Sequence, residues 1–239
     1  MRIKLLTLIL GVVFSVAATA QELSQFIIVD QFGYLPGVQK IAILKDPQVG
    51  FDSDTSYSPG SVFHVVNART GEKVYSGSIT SWNGGNTDPS SGDKAWHFDF
   101  SDFSQPGSYY ILDEENGLRS YEFDIANNVY NDVLKQAMRM FFYQRVGFAK
   151  EAPYAEEGWT DGASHIGPLQ DKNCRSFFDK GNPDTEKDLS GGWYDAGDYN
   201  KYTNWTAHYV IGMIKAYSEK PGAWGDNYNI PESGNGLPD

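Results

Sequence analysis

Asp195 and Asp198 stand three residues apart in LSGGWYDAGDYNKYTNW, residues 189–205, where acidic, aromatic and turn-forming residues gather more densely than anywhere else in the chain. Ala196 and Gly197 keep the turn between them small, Gly191 and Gly192 let the backbone bend sharply before it, and Trp193 and Tyr194 can anchor the bend on an apolar body. Close like charges raise one another's pKa, and a carboxylate positioned by its neighbour can hold a water molecule and take its proton. That is the base half of a hydrolysis. Tyr199, Tyr202 and Trp205 add flat apolar faces with polar edges, suited to stacking on sugar rings. An inverting glycosidase needs a carboxylate to activate water on one face of the sugar and a carboxylic acid about 6.5–9.5 Å away on the other. Two aspartates on one short loop fit the water side better than the two opposed roles. The structural alternative is that they cap the following helix, since Asp favours helix N-termini. A calcium loop fits less well, because the acidic residues do not alternate as in D-x-[DN]-x-[DN]-G.

The string GGWYDAGDYNKY, residues 191–202, closely resembles the active-site motif of glycoside hydrolase family 9, the inverting endoglucanases (cellulases) built on an (α/α)6 barrel. The resemblance implies that Asp198 is the catalytic base and that Asp195 helps bind the attacking water. It also implies a β-glucan substrate and no required cofactor, with a structural calcium ion left open. The family's general acid is a Glu far toward the C-terminus of the barrel, and no residue of this chain matches it.

Around this loop lies an acidic, aromatic-rich chain of 239 residues, 40% apolar, with 19 Lys and Arg against 31 Asp and Glu and a formal charge of −12. That length can bury a sizeable core in one or two domains. Its charge argues against nucleic acid or an anionic membrane as partner and suits a neutral substrate. Arg2 and Lys4 precede an apolar run from Leu5 to Val16 that ends in Ala18-Thr19-Ala20, the pattern of a secretory signal. The run is short of the roughly 20 residues of a membrane span. We therefore expect a mature chain beginning near Gln21, secreted or periplasmic. Cys174 is alone, so no internal disulfide can form.

The elements that must carry the loop fall into two groups. Seven short β-like runs occupy residues 25–125: Gln25–Asp30, Lys40–Leu44, Val62–Asn67, Lys73–Ile79, Ala95–Phe100, Ser108–Leu112 and Ser120–Ile125. In one of them Trp96, Phe98 and Phe100 alternate with His97 and Asp99, as in a half-buried sheet. Pro-Gly and Gly-Gly punctuation separates the runs, which read as an immunoglobulin-type β-sandwich over residues 21–126. VDQFGYLPGVQKIAIL, Val29 to Leu44, resembles the N-terminal immunoglobulin-like domain that precedes the barrel in one branch of the same family. Trp82, in a polar Asn-Gly-Gly loop, could stack on a glycan; packing of that loop on the neighbouring domain is the preferred reading.

Residues 127–239 change to helical spacing. Val129 to Tyr143 is predicted as a helix capped by Asn127 or Asn128, with a core-facing stripe through Val133, Leu134, Ala137, Met138, Phe141 and Phe142. A second helix is predicted from Asn204 to Tyr217, with His208 packed in its core. The acidic loop would then sit just ahead of a helix N-terminus, whose partial positive charge keeps at least one Asp ionised. Between them, Arg145 to Leu189 is rich in Gly, Pro, Asp and Asn, as functional or partly disordered loops are.

His165, Cys174, Asp161, Asp171 and Asp179 raise a metal reading for that segment. In some relatives of the family a structural zinc is held here by Cys and His, one Cys following a Gln-Arg dipeptide and another directly preceding His. Val146 follows Gln144-Arg145 in this chain, and Arg175 follows Cys174, so the zinc site is expected to be absent. Cys174 then reads as a buried thiol and His165 as the maker of a loop hydrogen bond.

The fold class expected is thus an N-terminal immunoglobulin-like sandwich followed by the first helices of an (α/α)6 barrel. Residues from Asn127 onward suffice for only two or three helices of ordinary length, so the chain reads as the N-terminal portion of a longer enzyme, inactive alone and lacking the C-terminal barrel segment as its partner. The expected function is a secreted inverting endo-β-1,4-glucanase; the alternative is a secreted carbohydrate-binding or adhesion protein without catalysis.

Overall fold

Phe98 and Phe100, the inward half of the alternating run WHFDF, are fully buried, and the first element of the architecture grows around them. The computed structural model describes residues 21–239; the expected signal segment lies outside the described residues. The chain divides between Val129 and Tyr130 into two units.

Among the described residues the first unit holds ten short strands: β1 (Glu22–Leu23), β2 (Ile27–Ile28), β3 (Ile41–Pro47), β4 (Val62–Asn67), β5 (Lys73–Ser78), β6 (Thr80–Ser81), β7 (Asp93–Asp99), β8 (Gly107–Asp113), β9 (Leu118–Arg119) and β10 (Phe123–Ile125). One sheet runs β1-β9-β8-β4-β5, with β10 also paired to β8; the other runs β2-β3-β7-β6. Their inner faces meet in one core, where Ala42, Leu44, Phe98 and Phe100 from the second sheet pack with Phe63, Val65, Tyr109, Ile111, Phe123 and Ile125 from the first. The period of two places these residues inward. The pairing of β4 with β5 shifts register between Val65 and Val66, and Val66 joins a small second cluster with Tyr110 and Leu112. On the outer face of β3 and β7, Ile43 and His97 line a shallow groove with Ile28 and Trp82, which is 38% exposed.

Two polar devices fix the start of this unit. Lys40 is buried, and its ammonium donates to the carbonyls of Pro36 (2.8 Å), Val38 (2.9 Å) and Ser101 (3.1 Å), so the charge is solvated by the backbone itself. Gly33 sits at φ +97°, and a Cβ there would stand 2.6 Å from the Asp124 carbonyl, the acceptor of the Tyr34 N–H.

In the second unit, α1 spans Asn131–Tyr143 and α2 spans Thr203–Glu219. The expected cap at Asn127 or Asn128 is not made: Tyr130 is the N-cap, without a side-chain capping bond. Asp132 in the first turn complements the helix dipole instead. Arg139 and Phe142 are the buried residues of α1. The Arg139 guanidinium donates to the carbonyls of Tyr228 (3.0 Å), Asn229 (2.6 Å) and Tyr154 (2.9 Å), binding two distant stretches to one helix. No residue of α2 is buried, and Trp205, Ile211, Ile214 and Tyr217 are all exposed. His208 is therefore exposed rather than a core residue: α2 meets the rest of the unit along one flank, where Tyr209 packs on Phe141 at 5.8 Å. The segment between the helices is irregular but tied down, by bridges between Lys150 and Asp161 and between Cys174 and Lys187.

Equilibrium urea unfolding checks the sandwich: Phe98→Ala should cost about 3–5 kcal/mol, as for large aromatic truncations in a core. Gly33→Ala should cost about 1–3 kcal/mol through its left-handed backbone.

Candidate active site

The loop bearing both aspartates is pinned to the residues that follow α1. Val146 N–H donates to the Gly192 carbonyl (3.0 Å) and Tyr194 N–H to the Gln144 carbonyl (2.9 Å), a two-strand tie that needs Gly191 and Gly192 at φ +88° and +84°. Those values lie where a Cβ is disfavoured, which explains the Gly-Gly pair. Trp193 then packs edge-on against Phe141 of α1 at 6.1 Å. Tyr194, next along, is buried; its hydroxyl bonds that of Ser164, and its ring meets Tyr199 edge-on at 4.8 Å. Asp195 N–H closes the turn on the Asn200 carbonyl at 3.0 Å, with Tyr199 in the left-handed region at φ +57°.

Within this closed turn the two carboxyl groups face one another closely enough to share a hydrogen bond. That bond raises the Asp195 pKa above the ordinary aspartate range, and desolvation adds to the rise. Asp195 Oδ1 is buried with no partner among the described residues, which also favours the protonated form. Asp198 moves the other way: the bond from Asp195 lowers its pKa first, and the amide of Asn200 at 2.8 Å lowers it further. The proton affinities of the pair are thus split, upward at Asp195 and downward at Asp198, and Asp198 is the exposed member. Neither residue caps α2, whose N-cap is Tyr202 with no side-chain bond, so the capping alternative does not hold. The source of the asymmetry is the carboxyl pair and Asn200 rather than the helix terminus. Tyr199, Tyr202 and Trp205 are exposed beside them, with Tyr202 and Trp205 rings 5.1 Å apart.

The other polar residues singled out from sequence lie elsewhere. Asp171 receives the ammonium of Lys201 (2.7 Å), Asp179 receives the Asn182 amide (2.9 Å), and Asp161 pairs through its backbone with Lys150. Among the described residues His165 makes no loop hydrogen bond and its Nδ1 is buried without a partner; the ring packs on Tyr194 at 5.9 Å. Cys174 is half-buried rather than buried, with its thiol near the Arg175 carbonyl. Among the described residues no three His, Cys, Asp or Glu side chains gather as a metal set. Two residues gave no signal in the sequence. Lys201 would be read as a solvated charge, yet it spans the mouth of the loop. Lys150 is 1% exposed, its ammonium 5.1 Å and 5.3 Å from the ring centres of Phe148 and Tyr194, and burial lowers its pKa.

Comparison with known proteins covers both units of the chain. Residues 22–117 match the cellulase N-terminal ig-like domain and residues 130–233 match glycosyl hydrolase family 9. The chain belongs to that family, holding the ig-like domain and part of the catalytic domain.

A cellulose 1,4-beta-cellobiosidase of Acetivibrio thermocellus is 32% identical over 240 residues, covering 88% of this chain and 25% of the relative. A xyloglucan-specific endo-beta-1,4-glucanase of Bacteroides ovatus is 30% identical over 227 residues, covering 88% and 33%. The chain thus spans about a quarter to a third of the length of these relatives. Among solved structures, a metagenome-derived family 9 endoglucanase superposes with a TM-score of 0.67 at 32% identity, over 89% of this chain and 37% of that one. A Zn-binding triple mutant of another family 9 endoglucanase gives 0.62 at 32% identity, over 85% and 33%.

The proton asymmetry has a consequence for stability. A raised carboxyl pKa contributes stability that is full below the unfolded value, about 3.9, and is lost as pH rises through the folded value. Asp195→Asn, neutral at every pH, should therefore remove a loss of stability above pH ~4 that the native chain shows in denaturant melts at stepped pH. The lowered Asp198 acts in the opposite sense: its contribution disappears as pH falls below the same unfolded value toward its own folded one.

Proposed function

We propose that this chain carries the water-activating half of a secreted, inverting endo-β-1,4-glucanase. The observation that carries the reading is the pairing of an exposed Asp198, its pKa lowered, with Asp195, its pKa raised, on a turn flanked by exposed aromatic rings. Water placed at this pair attacks the anomeric carbon from the face opposite the leaving sugar. Its oxygen forms the new bond, its proton passes to Asp198, the glycosidic bond breaks, and the leaving oxygen takes a proton from a carboxylic acid. Asp195 aligns the water and keeps Asp198 free of the shared proton. By the resemblance to the family that acid is a Glu, which no residue of this chain matches.

The substrate proposed is a neutral β-glucan, in keeping with the net charge of −12 and with the named activities of the relatives. Tyr199, Tyr202 and Trp205 offer stacking faces to it. The leader-like N-terminus supports action outside the cytoplasm, where insoluble polysaccharide is met. No step requires a metal; no helix among the described residues is long and apolar enough to cross a membrane.

In the enzyme completed with its acid, Asp198→Asn should lower kcat by about 10²–10⁴-fold while glucan binding is retained. The first product seen by proton NMR should be the α-anomer. Turnover retained in Asp198→Asn removes Asp198 from the role of base, and a β-anomer as first product removes inversion.

A further inference from the structure

Lys201 leaves the acidic loop just after Asp198, and its side chain turns back across the loop's mouth. The ammonium donates to the Asp171 carboxylate at 2.7 Å and to the carbonyls of Leu189 and Gly191, each at 2.9 Å. Those acceptors use all three protons that an ammonium carries. Two of them lie on the segment that enters the loop. The third, Asp171, also accepts the Leu189 N–H on its own carbonyl at 2.8 Å, so it holds the entering segment and the leaving lysine together. Both side chains are shielded, at 21% exposure for Lys201 and 11% for Asp171, which strengthens a charge-assisted contact relative to one on the open surface.

We propose that Lys201, held by Asp171, is a positioning residue for the water-activating pair: it closes the loop from Leu189 to Lys201 so that the Asp195 and Asp198 carboxyls meet. The inference rests on the role proposed for that pair. A flexible loop closed by one clasp loses the ends' freedom to drift apart, and a shared proton needs its two carboxyls held within hydrogen-bond reach. Asn200, the neighbour of Lys201, carries the constraint into the site, because its carbonyl receives the Asp195 N–H and its amide binds Asp198. The lysine acts by this geometry rather than through its field. Its charge is matched by Asp171, and the proton affinities of the pair are set by their mutual bond, by Asn200 and by the local backbone.

A carboxyl carbon-13 NMR titration of the chain separates these effects. In the native chain Asp195 should titrate above, and Asp198 below, the ordinary aspartate value. Lys201→Met should bring the two midpoints together by about one pH unit, a tenfold change in how the proton divides between them. Asp171→Asn, which keeps an acceptor oxygen for Lys201, should preserve the separation. Lys201→Gln retains two donor protons and should narrow it by less, and it decides the matter if Lys201→Met does not fold. An unchanged separation in the deciding variant, with or without lost stability, overturns the proposal. So does a rise of both midpoints with the gap intact, which is the mark of a lost charge alone. A native chain with no separation would instead sink the paired-carboxylate reading, and this inference with it.

Discussion

Two carboxyl groups in contact cannot both stay ionised without repelling, and the second unit of this protein is arranged so that they remain in contact. Sharing one proton resolves the conflict, and the surroundings decide which group keeps it. Asp195 has one oxygen buried without a donor, whereas Asp198 is exposed and receives the Asn200 amide. The carboxyl group whose pKa is lowered is therefore also the one open to solvent.

Everything that holds this contact works on the backbone around it. The tie between residues 144–146 and 192–194 fixes the entry of the loop against the end of α1, and it is possible because two glycines accept left-handed conformations. Tyr194 forms the floor, under Tyr199 and over the buried ammonium of Lys150. Farther out, Arg139 gathers the carbonyls of Tyr154, Tyr228 and Asn229 onto α1, so the helix that supports the loop is itself anchored by charge-assisted bonds. The site is built as a rigid turn on a small platform rather than as a cavity.

Much of this was legible in the sequence because local rules dominate there. Alternation in WHFDF gave the inward face of the sandwich, and the tight spacing of Asp195, Ala196, Gly197 and Asp198 gave a turn that brings carboxyls together. What escaped depends on partners far along the chain. Lys201 looks like a solvated charge until Asp171, thirty residues earlier, is seen to meet it. His165 and Cys174 suggested ligands by residue type, yet one packs on Tyr194 and the other pairs with Lys187 through its backbone. His208 and the stripe of α2 obeyed helical periodicity, but periodicity does not say how much of a face the neighbouring elements cover, and here they cover one flank. The Asn127 and Asn128 caps failed because a favourable residue type near a helix start is no measure of where the first turn closes.

Neutron diffraction from a deuterated crystal near pH ~4, around the ordinary aspartate value, tests the central claim most directly. The account predicts deuterium on the Asp195 carboxyl, directed at an unprotonated Asp198. Deuterium on Asp198, or two carboxyl groups turned apart with none between them, would contradict it.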